Sequence, residues 1–265
     1  MRNIFKIHPL TYITALIFIL VGYFKFYLSF MLVLIIHELG HIALSLIFKW
    51  HIKNIILLPL GLLLKFEDNL NKPLIEEFII SISGIIFQLV FIGLVHNHYL
   101  VISSNIILIF NILPIYPLDG SKVINIVLNK ITNFKTSYFL TLILSLIIIL
   151  ILISLSIINK SLIFLLSFIP LLINLIELII NKDNIFIKFL LERYLYNIKF
   201  KKIKYINNIN FMKRDYIHYI IYKNKVENEK IFLQKFFNKR WFLVKKFIII
   251  YKIKKRYSQT KKNIL

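Results

Sequence analysis

The chain contains no cysteine. That excludes a disulfide framework and thiolate metal ligation, so any metal site must be built from histidine and carboxylate. Turn-forming residues are sparse: six glycines and six prolines in 265 residues, the last of them Gly120 and Pro170. Residues 181–265 therefore lack the usual punctuation of turns. Acids are scarce as well, with 12 Asp+Glu against 34 Lys+Arg, and residues 181–265 hold 23 of the bases but only five of the acids. What abounds is apolar surface, 58% of residues, with a mean hydropathy of +0.77. That is too apolar for a soluble domain of this length.

Apolar runs fit to cross a hydrocarbon core of about 30 Å, which takes roughly 20 helical residues, lie at about 10–28, 29–48, 78–96, 99–118, 138–158 and 161–180. The expected fold class is an all-α polytopic membrane protein of six transmembrane helices over 1–180, followed by a basic cytoplasmic region over 181–265. The first run is not a cleavable signal peptide, because no small-residue cleavage site follows it and the second run begins at once. With the N-terminus inside, Arg2, Lys6, Lys49, Lys53, Lys65, Lys72, Lys122, Lys130, Lys135 and the tail face the cytoplasm, leaving Lys25 and Lys160 outside. Both termini are then cytoplasmic. Residues 51–64 are apolar and β-branched but broken by Pro59 and Gly61, too short to span. They read as a strand or re-entrant loop at the membrane surface, either offering a free edge to a substrate or plugging the bundle.

The second run carries His37-Glu38-Leu39-Gly40-His41. Histidines four apart share a helix face and can each offer a nitrogen to one zinc ion, while Glu38 can take a proton from an attacking water. Residues 26–48 contain no other acid, base or imidazole. A translocon scale charges roughly 2.5–3.5 kcal/mol for an acid at mid-bilayer, so Glu38 needs a local reason to be there. Catalytic zinc takes three protein ligands plus water. Asp119, the only acid between Glu77 and Glu177, ends the segment Asn111-Ile112-Leu113-Pro114-Ile115-Tyr116-Pro117-Leu118-Asp119-Gly120 and is the natural third ligand. Pro114 and Pro117 unwind a helix there, which a bilayer tolerates only where protein or water satisfies the freed carbonyls. Asn111 offers an amide to a substrate carbonyl or oxyanion.

These two segments resemble the site-2 protease family of intramembrane zinc metalloproteases, in its sporulation branch. The likeness extends to Lys6-Ile7-His8-Pro9, Trp50-His51-Ile52-Lys53, Leu57-Leu58-Pro59, Asn71-Lys72-Pro73-Leu74, Glu76-Glu77-Phe78 and Phe189-Leu190-Leu191-Glu192-Arg193-Tyr194, covering roughly residues 4–197. It implies six spans, one zinc held by His37, His41 and Asp119, Glu38 as base and a membrane-associated pro-sigma-factor substrate. It also implies control by partner membrane proteins in the mother cell of a sporulating bacterium. The chain departs from the family at Ser83-Gly84-Ile85, at Ser121 and in the loop Pro59-Leu60-Gly61-Leu62. Relatives of this type end in a nucleotide-sensing CBS domain; the glycine-free tail carries little sign of one, and nucleotide binding is not carried over.

Two rivals use the same cluster: a metal transporter, which would normally show more intramembrane acids than Glu177, and a catalytically silent membrane binding protein, which a change at Glu38 or Asp119 would have marked. His8, His51 and His218 read as surface residues and His96 and His98 as interfacial, while Gln88 can hydrogen-bond a neighbouring helix or the substrate, with packing the favoured reading. The tail reads as amphipathic helices, as around 229–250 with Phe232, Phe236, Phe237 and Trp241, lying on anionic lipid. Partner or substrate docking ranks second for it and nucleic acid third. Deleting 200–265 is expected to leave zinc binding intact.

Overall fold

The computed structural model describes residues 5–7, 9–58, 61–66, 70–95, 97–196, 198, 200–222 and 225–239. Strand β1 (Phe5–Ile7) leads into α1 (Pro9–Leu20), whose first residue is a proline, favoured at a helix start because it has no N–H to leave unpaired. Gly22, with φ of +83°, turns the chain into α2 (Phe24–Ile47). The hairpin β2 (Ile52–Leu58) and β3 (Gly61–Phe66) follows, then α3 (Leu74–Leu94), α4 (His98–Ile112), α5 (Asp119–Ile131), α6 (Phe134–Ile158), α7 (Leu162–Ile180) and α8 (Lys182–Leu195). Beyond these come β4 (Lys202–Ile206), β5 (Tyr216–Tyr222), β6 (Lys225–Asn228) and α9 (Glu229–Lys239).

All six expected spans are apolar helices, but their lengths differ. Among the described residues α2, α3 and α6 are long and apolar enough to cross a membrane, while α1 and α4, of 12 and 15 residues, are shorter and α7 has 19. The first pair divides at Gly22 rather than near residue 28. The fourth stops at Ile112, not 118, since a residue before proline is pushed out of the α region: Leu113 adopts ψ of 133°. Of the two readings of 51–64, strand or re-entrant loop, the structure shows strands at 52–58 and 61–66. The free edge is not β2, however, because β1 pairs with it in parallel and β3 antiparallel, giving the order β1-β2-β3. The open edge of the hairpin belongs to β3.

The chain divides into two compact units, one of Met1–Phe189 with Asn210–Asp215 and the other of Leu190–Ile209 with Tyr216 onward. The expected border at 180 thus moves to 189, and six tail residues return to the first unit. There Met212 is fully buried and its carbonyl accepts from Phe134 N–H at the start of α6. Lys213 Nζ donates to Ile131 O at the end of α5, Arg214 donates to Lys72 O and pairs with Glu77, and the Asp215 carboxylate accepts from Leu74 N–H at the start of α3. Helix ends leave backbone donors and acceptors without intrahelical partners, and this short strap supplies several of them.

The second unit corrects the expectation of membrane-lying helices. It holds a three-stranded sheet in the order β4-β5-β6, parallel then antiparallel. Isoleucine and tyrosine at alternating positions suit a half-buried strand better than a helix face. His218, expected at the surface, is fully buried, as is Ile220 two residues on, because β5 is the central strand and period-two alternation turns both inward. His218 N–H donates to Glu229 Oε2, and Arg193 pairs with the same carboxylate. A helix does begin at Glu229 and runs to Lys239, with Phe237 buried; the rest of the expected 229–250 segment, including Trp241, lies outside the described residues.

Candidate metal centre

Gly40 and Gly84 set where α2 and α3 meet. A Cβ on Gly40 would lie 2.6 Å from Ser83 O, and one on Gly84 would lie 2.7 Å from His37 Nε2 and closer still to His41 Nε2. Only glycine lets the two backbones approach that far. The motif face of α2 is thereby pressed against α3, and the imidazoles of His37 and His41 are buried in the crossing, 1% and 4% exposed.

Asp119 arrives from the far end of the fold. After α4 stops, Ser145 of α6 holds the proline segment: Tyr116 N–H donates to its Oγ at 3.0 Å, and that hydroxyl lies 3.1 Å from Pro114 O. This is the protein-supplied partner that a bilayer demands of an unwound segment. Ile115, wholly buried, anchors the same stretch among Tyr138, Leu142, Ile149 and Leu175. The chain then folds back so tightly that a Cβ on Gly120 would lie 2.6 Å from Leu113 O and nearer to Ile112 O. Asp119 becomes the first residue of α5, where the helix N-terminus favours a carboxylate.

The three side chains meet. His37 Nε2 and His41 Nε2 are 3.1 Å apart, and Asp119 Oδ2 is 3.1 and 2.9 Å from them. A tetrahedral zinc with bonds of 2.0–2.1 Å spaces its ligand atoms by about 3.3 Å, so this near-equilateral triangle has the size of one face of that tetrahedron. The protonation pattern agrees. His37 Nδ1 lies 2.9 Å from Gln88 Oε1 and His41 Nδ1 lies 2.6 Å from Ile80 O, both of which can only accept. Each imidazole therefore carries a proton on Nδ1, and the neutral ring turns a bare Nε2 toward Asp119. Three potential ligand atoms thus converge in a buried space, where a cation would be held by all three. Asp119 Oδ1, the other oxygen, accepts from Lys122 Nζ at 2.7 Å.

Among the described residues these three form the one cluster of metal-ligating side chains. His51 and His98 are exposed and outside it, and Glu177 is exposed on α7. His8 and His96 lie outside the described residues. Glu38 is half-buried beside its two histidine neighbours on α2, its carboxylate in no hydrogen bond among the described residues but within electrostatic reach of Asp119 and Lys122. Asn111, Pro114 and Pro117 are half-buried along the segment that delivers Asp119, and they take no part in the bonds among the three ligand atoms.

No family model matches the chain. Its fold is similar to that of the site-2 protease of Methanocaldococcus jannaschii, at a TM-score of 0.55 and 16% identity, over 67% of this chain and 91% of that one. Its sequence is 31% identical over 202 residues to stage IV sporulation protein FB of Bacillus subtilis (strain 168), which is 71% of this chain and 70% of that protein. The chain belongs to the site-2 protease family. As in the members of such a family of membrane metalloproteases, its cluster sits among apolar helices rather than in a soluble cleft. Four residues of this family member's site escaped sequence reasoning. Gln88 reads as packing but bonds a ligand, Lys122 reads as a topology signal but bonds Asp119, Ser145 is an ordinary serine in a greasy helix, and Gly84 reads only as a departure from the family's pattern. None carries a motif of its own, because each contacts the site across 3 to 51 residues of chain. Only Lys122, three residues after Asp119, left a local signal in its helical spacing.

Proposed function

We propose that this chain is a zinc endopeptidase that hydrolyses a peptide bond of a membrane-associated protein, with His37, His41 and Asp119 holding one zinc ion and Glu38 as general base. The observation that carries this reading is the buried triangle of ligand atoms, Nε2, Nε2 and Oδ2, 2.9–3.1 Å on a side. A zinc ion bound there lowers the pKa of its water to about 7 and polarises a substrate carbonyl. Glu38, in no hydrogen bond among the described residues, takes the proton as water attacks and returns it to the leaving amine. Lys122 holds Asp119 by one oxygen and leaves the other for the metal. Asn111 receives the substrate carbonyl or the developing oxyanion, and Pro114 and Pro117 keep the segment before Asp119 from closing into helix. The scissile bond must be extended, because helical carbonyls are already bonded; the outer edge of β3 can pair with such a strand.

By family resemblance the substrate is a pro-sigma factor of sporulation, and the site lies in a bacterial cell membrane, around the forespore, with both termini cytoplasmic and regulatory membrane proteins as partners. The basic C-terminal region faces anionic lipid, each cation contributing about 1 kcal/mol near the surface.

The test is to purify the full chain and measure zinc and cleavage together. The intact protein should hold one tightly bound zinc; Glu38→Gln should keep the metal and lose cleavage, while His37→Ala, His41→Ala and Asp119→Ala should lose the metal and His98→Ala should not. Co-expression with the pro-sigma factor and other membrane-tethered proteins of its own genome should show one of them shortened in a Glu38-dependent way. Zinc uptake into vesicles, or zinc held with no protein cleaved, would falsify the reading in favour of a transporter or a silent binder.

A further inference from the structure

Gln88 is wholly buried in the middle of α3, in a segment where an unpaired amide is expensive. Its two ends do different work. Nε2 donates to Ser104 O and to Ser104 Oγ on α4, both at 2.8 Å. That fixes which way the amide faces, since turning it over would set Oε1 against the Ser104 carbonyl, acceptor against acceptor. Oε1 is left 2.9 Å from His37 Nδ1. The polarity therefore runs one way across three helices: His37 donates to Gln88, and Gln88 donates to Ser104. His41 is oriented differently, by the backbone carbonyl of Ile80, which no substitution removes.

We propose that Gln88 is a positioning residue of the metal centre, holding His37 in the Nδ1–H tautomer and at the ring angle that presents Nε2 to the ion. This rests on the zinc reading above. Ser104 acts one step further out, by fixing the orientation of the Gln88 amide. Partners of this kind tune metal affinity by 10–100-fold without touching the metal.

The experiment uses the full chain in detergent, with zinc affinity measured by chelator competition and the visible spectrum recorded after cobalt loading. Gln88→Met keeps length and volume but offers no carbonyl, so zinc should bind about 10–100-fold more weakly and the cobalt bands should shift, with the melting of the metal-free protein little changed. Gln88→Glu still accepts from Nδ1–H while losing the amide donor to Ser104, and should hold zinc within a few-fold of the native protein. Gln88→Met binding zinc and cobalt as the native chain does overturns the proposal. So does Gln88→Glu falling as far as Gln88→Met, which would assign Gln88 to packing against Ser104. A native protein indifferent to His37→Ala overturns the zinc reading itself, and this proposal with it.

Discussion

Two glycines and a glutamine set the geometry of the His37, His41 and Asp119 cluster. Gly84 stands where a side chain would enter the space between His37 and His41, and it cannot retreat because Gly40 already brings α2 against the Ser83 carbonyl. Gly84→Ala should therefore displace an imidazole rather than be absorbed. Overpacking of this kind typically costs 1–3 kcal/mol, and here it falls on the ligands. The expected outcome is zinc well below one per chain by elemental analysis with helix content by circular dichroism unchanged; a fully loaded Gly84→Ala protein would contradict the geometry. The motif itself was legible in sequence, because two histidines and an acid within five residues need only helical spacing to define a face. The Nδ1 partners were not, since Gln88 and Ile80 reach them from 51 and 39 residues away.

At the scale of elements, the strap Asn210–Asp215 changes what a truncation means. It bonds the ends of α3, α5 and α6, so deleting 200–265, expected from sequence to leave zinc binding intact, also removes caps from the membrane unit itself. A narrower probe is Arg214→Met, which leaves Glu77 without its cation and Lys72 O without its donor. Loss of a charged hydrogen bond costs about 1.5–3 kcal/mol. At roughly 2–4 °C per kcal/mol for a chain of this size, the melting midpoint in detergent should fall by about 3–12 °C, with zinc stoichiometry intact. An unchanged midpoint would mean that the strap is not structural. Helices α2, α3 and α6 were plain from hydropathy, and the β2–β3 hairpin from its β-branched residues and breakers. That β1 makes β2 an inner strand was not, because three residues at the end of a chain carry no periodicity.

For the molecule as a whole, the second unit adds a response to acid. Burial would raise the Glu229 carboxyl, yet hydrogen bonds from His218 and Arg193 outweigh it and hold the group at about 2, below its ordinary 4.5. Burial lowers the His218 imidazole below its ordinary 6.5, and the Arg193 charge pushes the same way against the Glu229 hydrogen bond. Both shifts are downward, so both contribute stability that is whole above the ordinary values and declines on acidification: His218 from below about pH 6.5, Glu229 from below about 4.5 toward 2. Hydrogen exchange of β5 amides in the full chain, corrected for intrinsic rates, should show protection falling between pH 7 and 5. His218→Gln should abolish that upper step and leave the lower one. Protection that stays level down to pH 5 in the native chain would remove the assignment. Sequence alone determined the membrane class, the helical spans and the three residues, His37, His41 and Asp119, that the fold brings together, because hydropathy and short spacing are local properties that survive without a fold. Only the tertiary structure decided that a lysine-rich tail folds as a sheet, that its middle returns to cap the membrane helices, and which groups aim the histidines, because each depends on contacts between residues far apart in the chain.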